Sequence, residues 1–256
     1  MLINVLASGS KGNLTHISNN HTNILIDLGL SCKETVRRMS LNNLVPEKID
    51  AIFLTHEHSD HMRGISVFSR RYHVPVYVSR MAWQTIKRRD PNWYDTRPFD
   101  PDTMIAVNDF RIQPFRIPHD TSDPLAYTIQ TDSCKFGMAT DLGSVPKHVI
   151  SHLSQCHALL LESNHDEMML ANGSYPQFLK QRVKSAQGHL SNKQSAQLLD
   201  RLLHPDLKTV ILGHLSEENN RPELAYQEAA TILQHAGMPV HLIVAGQHEA
   251  SPTVSI

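Results

Sequence analysis

The sequence predicts an α/β protein of two mixed sheets packed face to face with helices outside, in a single domain over residues 1–256. Three observations predict it. Short apolar runs of strand length alternate with helical patterns in both halves of the chain. A block of antiparallel-looking strands lies between those halves. No linker or low-complexity stretch interrupts the pattern, and 40% hydrophobic with 19% charged residues suits a sizeable core. Composition also bounds function. The net charge of -1 gives no global attraction to nucleic acid, so polyanion binding needs a local patch or a metal. Cys32, Cys134 and Cys156 are odd in number and widely spaced. They form neither a disulfide framework nor a zinc ribbon, and fit reduced thiols in a cytoplasm. Met1 to Leu6 reads as a strand and not a signal peptide, and no apolar run approaches membrane-spanning length. The expectation is a cytoplasmic protein with no membrane association and no evident obligate protein partner.

Taken in order, Leu2 to Ala7 is a strand, Ser8 to Asn13 a turn-rich loop, and Leu14–Ile17 and Asn23–Asp27 strands that Gly29 ends. Ser31 with Glu34 matches a capping box for a helix to about Met39. Ile49 to Leu54 is a buried strand. A helix follows His61 through Val67 and Arg71, then a strand at Val74–Val78 and a helical pattern from Met81 to Arg89. Asp90 to Asp102, rich in Pro and Asp, reads as loop. Strands follow at Met104–Val107, Phe110–Ile117, Leu125–Gln130 and Lys135–Ala139. Pro146 opens a helix to Leu153, and Ala158–Glu162 is a buried strand. Helices at Pro176–Lys184 and Asn192–Leu203 precede a strand at Thr209–Leu212. A helix from Pro222 to Ala236, closed by Gly237, leads to the last strand, Pro239–Val244.

The chemistry concentrates in Thr55-His56-Glu57-His58-Ser59-Asp60-His61, directly after the Ile49–Leu54 strand. Side chains of an extended or tightly looped backbone alternate. His56 and His58 can therefore share one cation while Asp60 and His61 turn toward a second. Imidazole plus carboxylate is a ligand set for zinc, manganese or iron. His-x-His-x-Asp-His after a strand resembles the metal loop of the metallo-β-lactamase superfamily. The resemblance implies a four-layer αββα sandwich, with the site at one edge where loops of both halves meet. It also implies further ligands: His119, Asp141 as a bridging carboxylate, and His214, each just beyond a strand. The first site would then hold His56, His58, His119 and Asp141, and the second Asp60, His61, Asp141 and His214.

Two divalent ions about 3.5–4 Å apart can hold a bridging hydroxide that is deprotonated at neutral pH. With two carboxylates and that hydroxide the site keeps a net positive charge, which attracts an anionic phosphodiester. In this scheme Asp60 orients the hydroxide. The same nucleophile would open a thioester, so the metals alone do not select phosphate. Gly188-His189-Leu190-Ser191-Asn192 reads by itself as a helix start, with Ser191 or Asn192 as N-cap. Phosphodiesterases of the tRNase Z type carry a similar histidine beside the scissile phosphate, which implies that His189 binds phosphate or protonates the leaving oxygen.

The chain also resembles the WalJ/YycJ family of small hydrolases with this fold. The matching stretches are Ala7–Asn13, Leu25–Gly29, the metal loop, Ala139–Gly143, Glu162–Asp166, Gly188–Asn192 and Gly213–Asn220. The family implies a 5′-to-3′ DNA exonuclease. Ser8 to Asn13 can offer backbone N–H groups to an anion, and Glu162, Asn164, His165 and Asp166 can orient ligands from behind. No large insert separates Asp141 from His189, no tRNA-gripping arm is recognisable and no flavin domain fits. Those absences argue against mRNA-end processing, tRNA maturation and flavin redox chemistry. Arg63, Arg70, Arg71, Lys87, Arg88 and Arg89 can line a DNA path or form solvated helix faces. The expectation is a dinuclear phosphodiester hydrolase acting on DNA or another phosphodiester. The alternatives are a thioester or lactone hydrolase of glyoxalase II type, a small cyclic-nucleotide phosphodiesterase, and a non-catalytic metal-bearing module.

Overall fold

The computed structural model describes residues 1–256. Strands β1 (Leu2–Ala7), β2 (Leu14–Ser18), β3 (Asn23–Ile26), β4 (Ala51–Phe53), β5 (Pro75–Ser79), β6 (Asp95–Phe99) and β14 (Val254–Ser255) form the first sheet. Its order is β14-β1-β2-β3-β4-β5-β6, antiparallel from β14 to β3 and parallel from β3 to β6. The second sheet contains β7 (Ile105–Val107), β8 (Phe110–Arg116), β9 (Leu125–Gln130), β10 (Lys135–Ala139), β11 (Ala158–Glu162), β12 (Thr209–Gly213) and β13 (His241–Val244). Its order, β13-β12-β11-β10-β9-β8-β7, repeats the same plan, antiparallel from β7 to β10 and parallel beyond.

Three apolar clusters define four layers. Ile3, Phe53, Phe110, Tyr127, Phe136, Leu160 and Ile211 fill the space between the sheets. The outer face of the first sheet is covered by α1 (Cys32–Leu41), α3 (Ile65–Tyr72) and α4 (Arg80–Ile86). The outer face of the second is covered by α5 (Lys147–Leu153), α8 (Asn192–Leu202) and α9 (Pro222–His235). The remaining helices, α2 (Ser59–Met62), α6 (Glu167–Asn172) and α7 (Gln177–Lys184), lie in the connections. Strands buried on both faces need no polar alternation, which is why β11 and β12 read as nearly unbroken apolar runs.

The structure departs from the sequence expectation at several elements. Residues Asp95–Phe99, expected as loop, form β6. It is an edge strand with one buried residue and a proline, so it carries no apolar signal. Helix α6 and strand β14 were not expected, and α4 ends at Ile86, short of Arg89. Ser31 accepts the Glu34 N–H, but the Glu34 carboxylate turns to Arg37 and Arg38, so only half of that capping box forms. The complete box is at α8, where Ser191 and Gln194 cap each other.

Candidate metal centre

The C-terminal ends of the parallel strands supply most of the site, the edge at which α/β sheets generally bind ligands. The metal loop leaves β4, Asp27 follows β3, Asp141 lies just beyond β10, Glu162 ends β11 and His214 follows β12. In register, Glu162 pairs with Gly213 and Ala139 with Leu161, so Asp141, Glu162 and His214 emerge side by side. Asp27, Asp141 and His214 all turn there with φ near +60° (60°, 56° and 56°). Non-glycine residues rarely adopt that region, and it persists where surrounding contacts over-determine it. Two hydrogen bonds from the second sheet clamp the metal loop. Tyr127 donates its hydroxyl to the Leu54 carbonyl at 2.5 Å, and the Leu125 N–H donates to Thr55 at 3.0 Å. Gly29 is required by close approach: a Cβ there would lie 1.6 Å from the Asp60 carbonyl oxygen.

All seven histidines and aspartates singled out in the sequence as ligands come together here. Ligand atoms of His56, His58 and His119 lie within 4.8 Å of one another, as do those of Asp60, His61 and His214. The Asp141 carboxylate stands between the two groups, Oδ1 3.6 Å from His119 Nε2 and Oδ2 3.1 Å from His61 Nε2. Four imidazoles share one arrangement. His61 Nδ1–H donates to Asp27 at 2.7 Å, His119 Nδ1–H to the Gly188 carbonyl at 3.2 Å and His214 Nδ1–H to Glu162 at 2.9 Å. His56 Nδ1–H donates to the Thr55 hydroxyl at 3.0 Å, which itself donates to Asp27. Fixing Nδ1 as the donor leaves Nε2 as the lone-pair nitrogen. His58 differs, for its Nδ1 faces His56 Nε2 at 3.1 Å.

Glu162 and Asp27 are the two anchors behind this set. Glu162 is fully buried and accepts from His189 Nδ1 at 2.8 Å, from His214, and from the N–H groups of Asp141, Leu142 and Leu190. Burial opposes its ionisation, yet the His189 and His214 imidazoles hold its carboxyl down to about 2. Burial likewise opposes charge on His214, but Asp141, Asp60 and Glu162 draw that imidazole up to about 10. Burial and the charge on His61 push His56 well below the usual histidine range. Buried carboxylates thus demand positive charge from the imidazoles themselves. Meanwhile His119 Nε2, Asp141 Oδ2 and His214 Nε2 are buried without a hydrogen-bond partner. Buried polar atoms are normally paired. This donor set, with its unpartnered atoms, is compatible with divalent cations of the zinc, manganese or iron type.

His189 sits at the rim, its side chain 21% exposed, with ring centroids 5.2 Å from His119 and 5.3 Å from His214. Ser191 caps α8, and Asn192 is used internally with Ser163 and Asn220. The expected anion nest at Ser8–Asn13 does not form. The N–H groups of Ser8, Gly9, Lys11, Gly12 and Asn13 all donate within the protein, and the Ser8 hydroxyl accepts from His214 N–H. Sequence reading missed Asp27 as an anchor. The usable signal was an acidic residue at a strand end, three residues before the Leu30-Ser31 helix start.

Comparison with known proteins identifies the family and the fold. The family model of the β-lactamase superfamily domain matches residues 22–214. The chain is 35% identical over 240 residues to the exodeoxyribonuclease WalJ of Streptococcus pneumoniae serotype 2, covering 92% of this chain and 89% of the relative. It is 32% identical over 242 residues to the exodeoxyribonuclease YycJ of Bacillus anthracis, covering 92% and 90%. The crystal structure of the metallo-β-lactamase fold protein YhfI from Bacillus subtilis superposes over 100% of both chains with a TM-score of 0.76 at 16% identity.

Proposed function

The chain belongs to the metallo-β-lactamase superfamily, within the exodeoxyribonuclease family of WalJ and YycJ, and from that premise we propose that it is a metal-dependent hydrolase that removes nucleotides from an end of DNA. The whole chain acts as one catalytic domain, since a single apolar core joins both sheets. No helix is long and apolar enough to cross a membrane. Family membership and buried free cysteines support a cytoplasmic location. The polarity we assign is 5′-to-3′.

The observation that carries the reading is the Asp141 carboxylate between two imidazole groups, with His189 held beside it by Glu162. We assign His56, His58, His119 and Asp141 to one cation and Asp60, His61, Asp141 and His214 to a second. Two such ions supply Lewis acidity, lowering the pKa of water toward neutrality and taking up charge from phosphate oxygens. The chain supplies the rest. Asp60, partly exposed, accepts a hydrogen bond from the attacking water and orients it. Glu162 fixes the His189 ring through Nδ1. Burial opposes charge on that ring, but Glu162 and Asp141 hold its pKa above the usual histidine value, so the ring carries a second proton on Nε2 that can contact the phosphate and pass to the departing oxygen.

A substrate panel with manganese or zinc tests this: bis-p-nitrophenyl phosphate, end-labelled DNA and S-lactoylglutathione. Phosphodiester turnover is expected, and thioester turnover alone would overturn the reading. In the same panel His189→Ala keeps both metals and loses about 10²–10⁴ in rate on DNA, the scale of a lost general acid. The loss is smaller on p-nitrophenyl esters, whose leaving group needs little protonation. Loss of a metal ion in that variant would show that the ligand assignment is wrong.

A further inference from the structure

A recess of about 240 Å³ opens beside the metal centre and shares His189 with it. Helix α7 forms one wall, with Leu179 and Val183 one turn apart in the lining. Arg182, on the same helix, also lines the recess. Its Nε donates to Asp120 Oδ2 at 2.5 Å, and Asp120 Oδ1 lies 3.5 Å from His119 Nε2. One carboxylate therefore separates the guanidinium from a metal-centre histidine and holds it by one edge. The two terminal nitrogens of Arg182 make no hydrogen bond within the protein, and the side chain is 56% exposed. A planar fork held at Nε with its other edge free suits bidentate contact with phosphate. Asp120 is the one carboxylate in the lining, and the pair with Arg182 takes up its charge. Helix α7 adds Lys180 and Lys184 and no acidic residue, so this flank is locally basic in a chain of net charge -1.

We propose that this recess is the subsite for the terminal 5′-phosphate of the DNA, with Arg182 as the residue that binds it. The proposal rests on the reading of the neighbouring centre as a 5′-to-3′ hydrolase of DNA ends. The direction of cleavage gives the placement. Release of the first nucleotide breaks the bond between phosphorus and its O3′, and His189 passes a proton to that oxygen. The first nucleotide therefore lies on the His189 side of the centre, where the recess opens. Its 5′-phosphate is the next anion along the strand, and the free edge of Arg182 is there to meet it. Arg182 thus selects phosphorylated ends and takes no part in the bond cleavage.

The test compares kcat/KM, with manganese, on single-stranded DNA bearing a 5′-phosphate and on the same strand bearing a 5′-hydroxyl. The wild type should prefer the phosphate by about 10–100-fold, the scale of hydrogen bonds to a charged group. Arg182→Gln should bring the ratio toward one, and Arg182→Lys, which keeps the charge but not the fork, should leave an intermediate ratio. The ratio is taken within each protein. A purely structural role for Arg182, through folding or through the Asp120 contact, would lower both rates together and leave the ratio unchanged. A second arm needs no turnover: calorimetry of the manganese-loaded protein with deoxythymidine 3′,5′-bisphosphate and with deoxythymidine 3′-monophosphate. Tighter binding of the bisphosphate, lost in Arg182→Gln, supports the subsite even if DNA is not cut, in which case the exonuclease reading alone falls. DNA cleaved with equal efficiency from phosphate and hydroxyl ends, a preference that Arg182→Gln leaves intact, or equal affinity for the two nucleotides, overturns the subsite and leaves the exonuclease reading standing.

Discussion

At the scale of single residues, Glu162 gives the sharpest expectation. Its two oxygens accept five N–H donors, from His189, His214, Asp141, Leu142 and Leu190. Glu162→Gln replaces one acceptor with a second donor, so donor faces donor in a buried place. Metal affinity should fall about 10–100-fold, the usual cost of disturbing a group that orients a ligand. Titration against a chromophoric chelator checks it, and an unchanged affinity would remove Glu162 from that role. The His-x-His-x-Asp-His loop was legible because its side chains are contiguous. The anchors were less so, because Asp27 and Glu162 act on histidines 34 and 52 residues away. Those meetings depend on which strands become neighbours, and strand order is not written in local periodicity.

At the scale of elements, β2 carries a buried histidine with no part in the metal centre. His16 Nδ1 accepts from the Asn4 amide at 3.2 Å, and its Nε2–H donates to Asn23 Oδ1 at 3.4 Å. Thr253 donates to Asn4 Oδ1, which keeps the Asn4 amide nitrogen facing the ring. Burial holds His16 down to about 4, against the ordinary 6.5. A base with a depressed folded pKa contributes stability that is complete above pH 6.5 and is lost as pH falls toward 4, because the unfolded chain takes the proton first. By pH 5 the loss is about 2 kcal/mol, an order-of-magnitude figure. Urea unfolding at pH 7 and pH 5 should therefore show a smaller pH-dependent loss in His16→Gln than in the wild type. Equal losses would contradict the neutral, buried ring. Long apolar strands such as β11 and β12 were plain in the sequence. β6 was not, because an edge strand can be polar and can hold Pro98.

At the scale of the whole molecule, the two halves repeat one plan, each an antiparallel block running into parallel strands. Packing the sheets face to face brings the carboxyl ends of β3 and β4 opposite those of β10, β11 and β12. Alternation of strands and helices in both halves made two mixed sheets legible, and the family resemblance supplied the four-layer arrangement that periodicity alone left open. The central claim is that the site made at that edge hydrolyses DNA from an end in a metal-dependent way. The most direct measurement is the length distribution of products from DNA labelled separately at its 5′ and 3′ ends, followed over time with manganese and after chelation. We expect 5′-labelled DNA to release labelled mononucleotide at once, 3′-labelled DNA to shorten progressively, and both reactions to stop on chelation. Internal fragments from the first time points, or undiminished digestion after chelation, would contradict it.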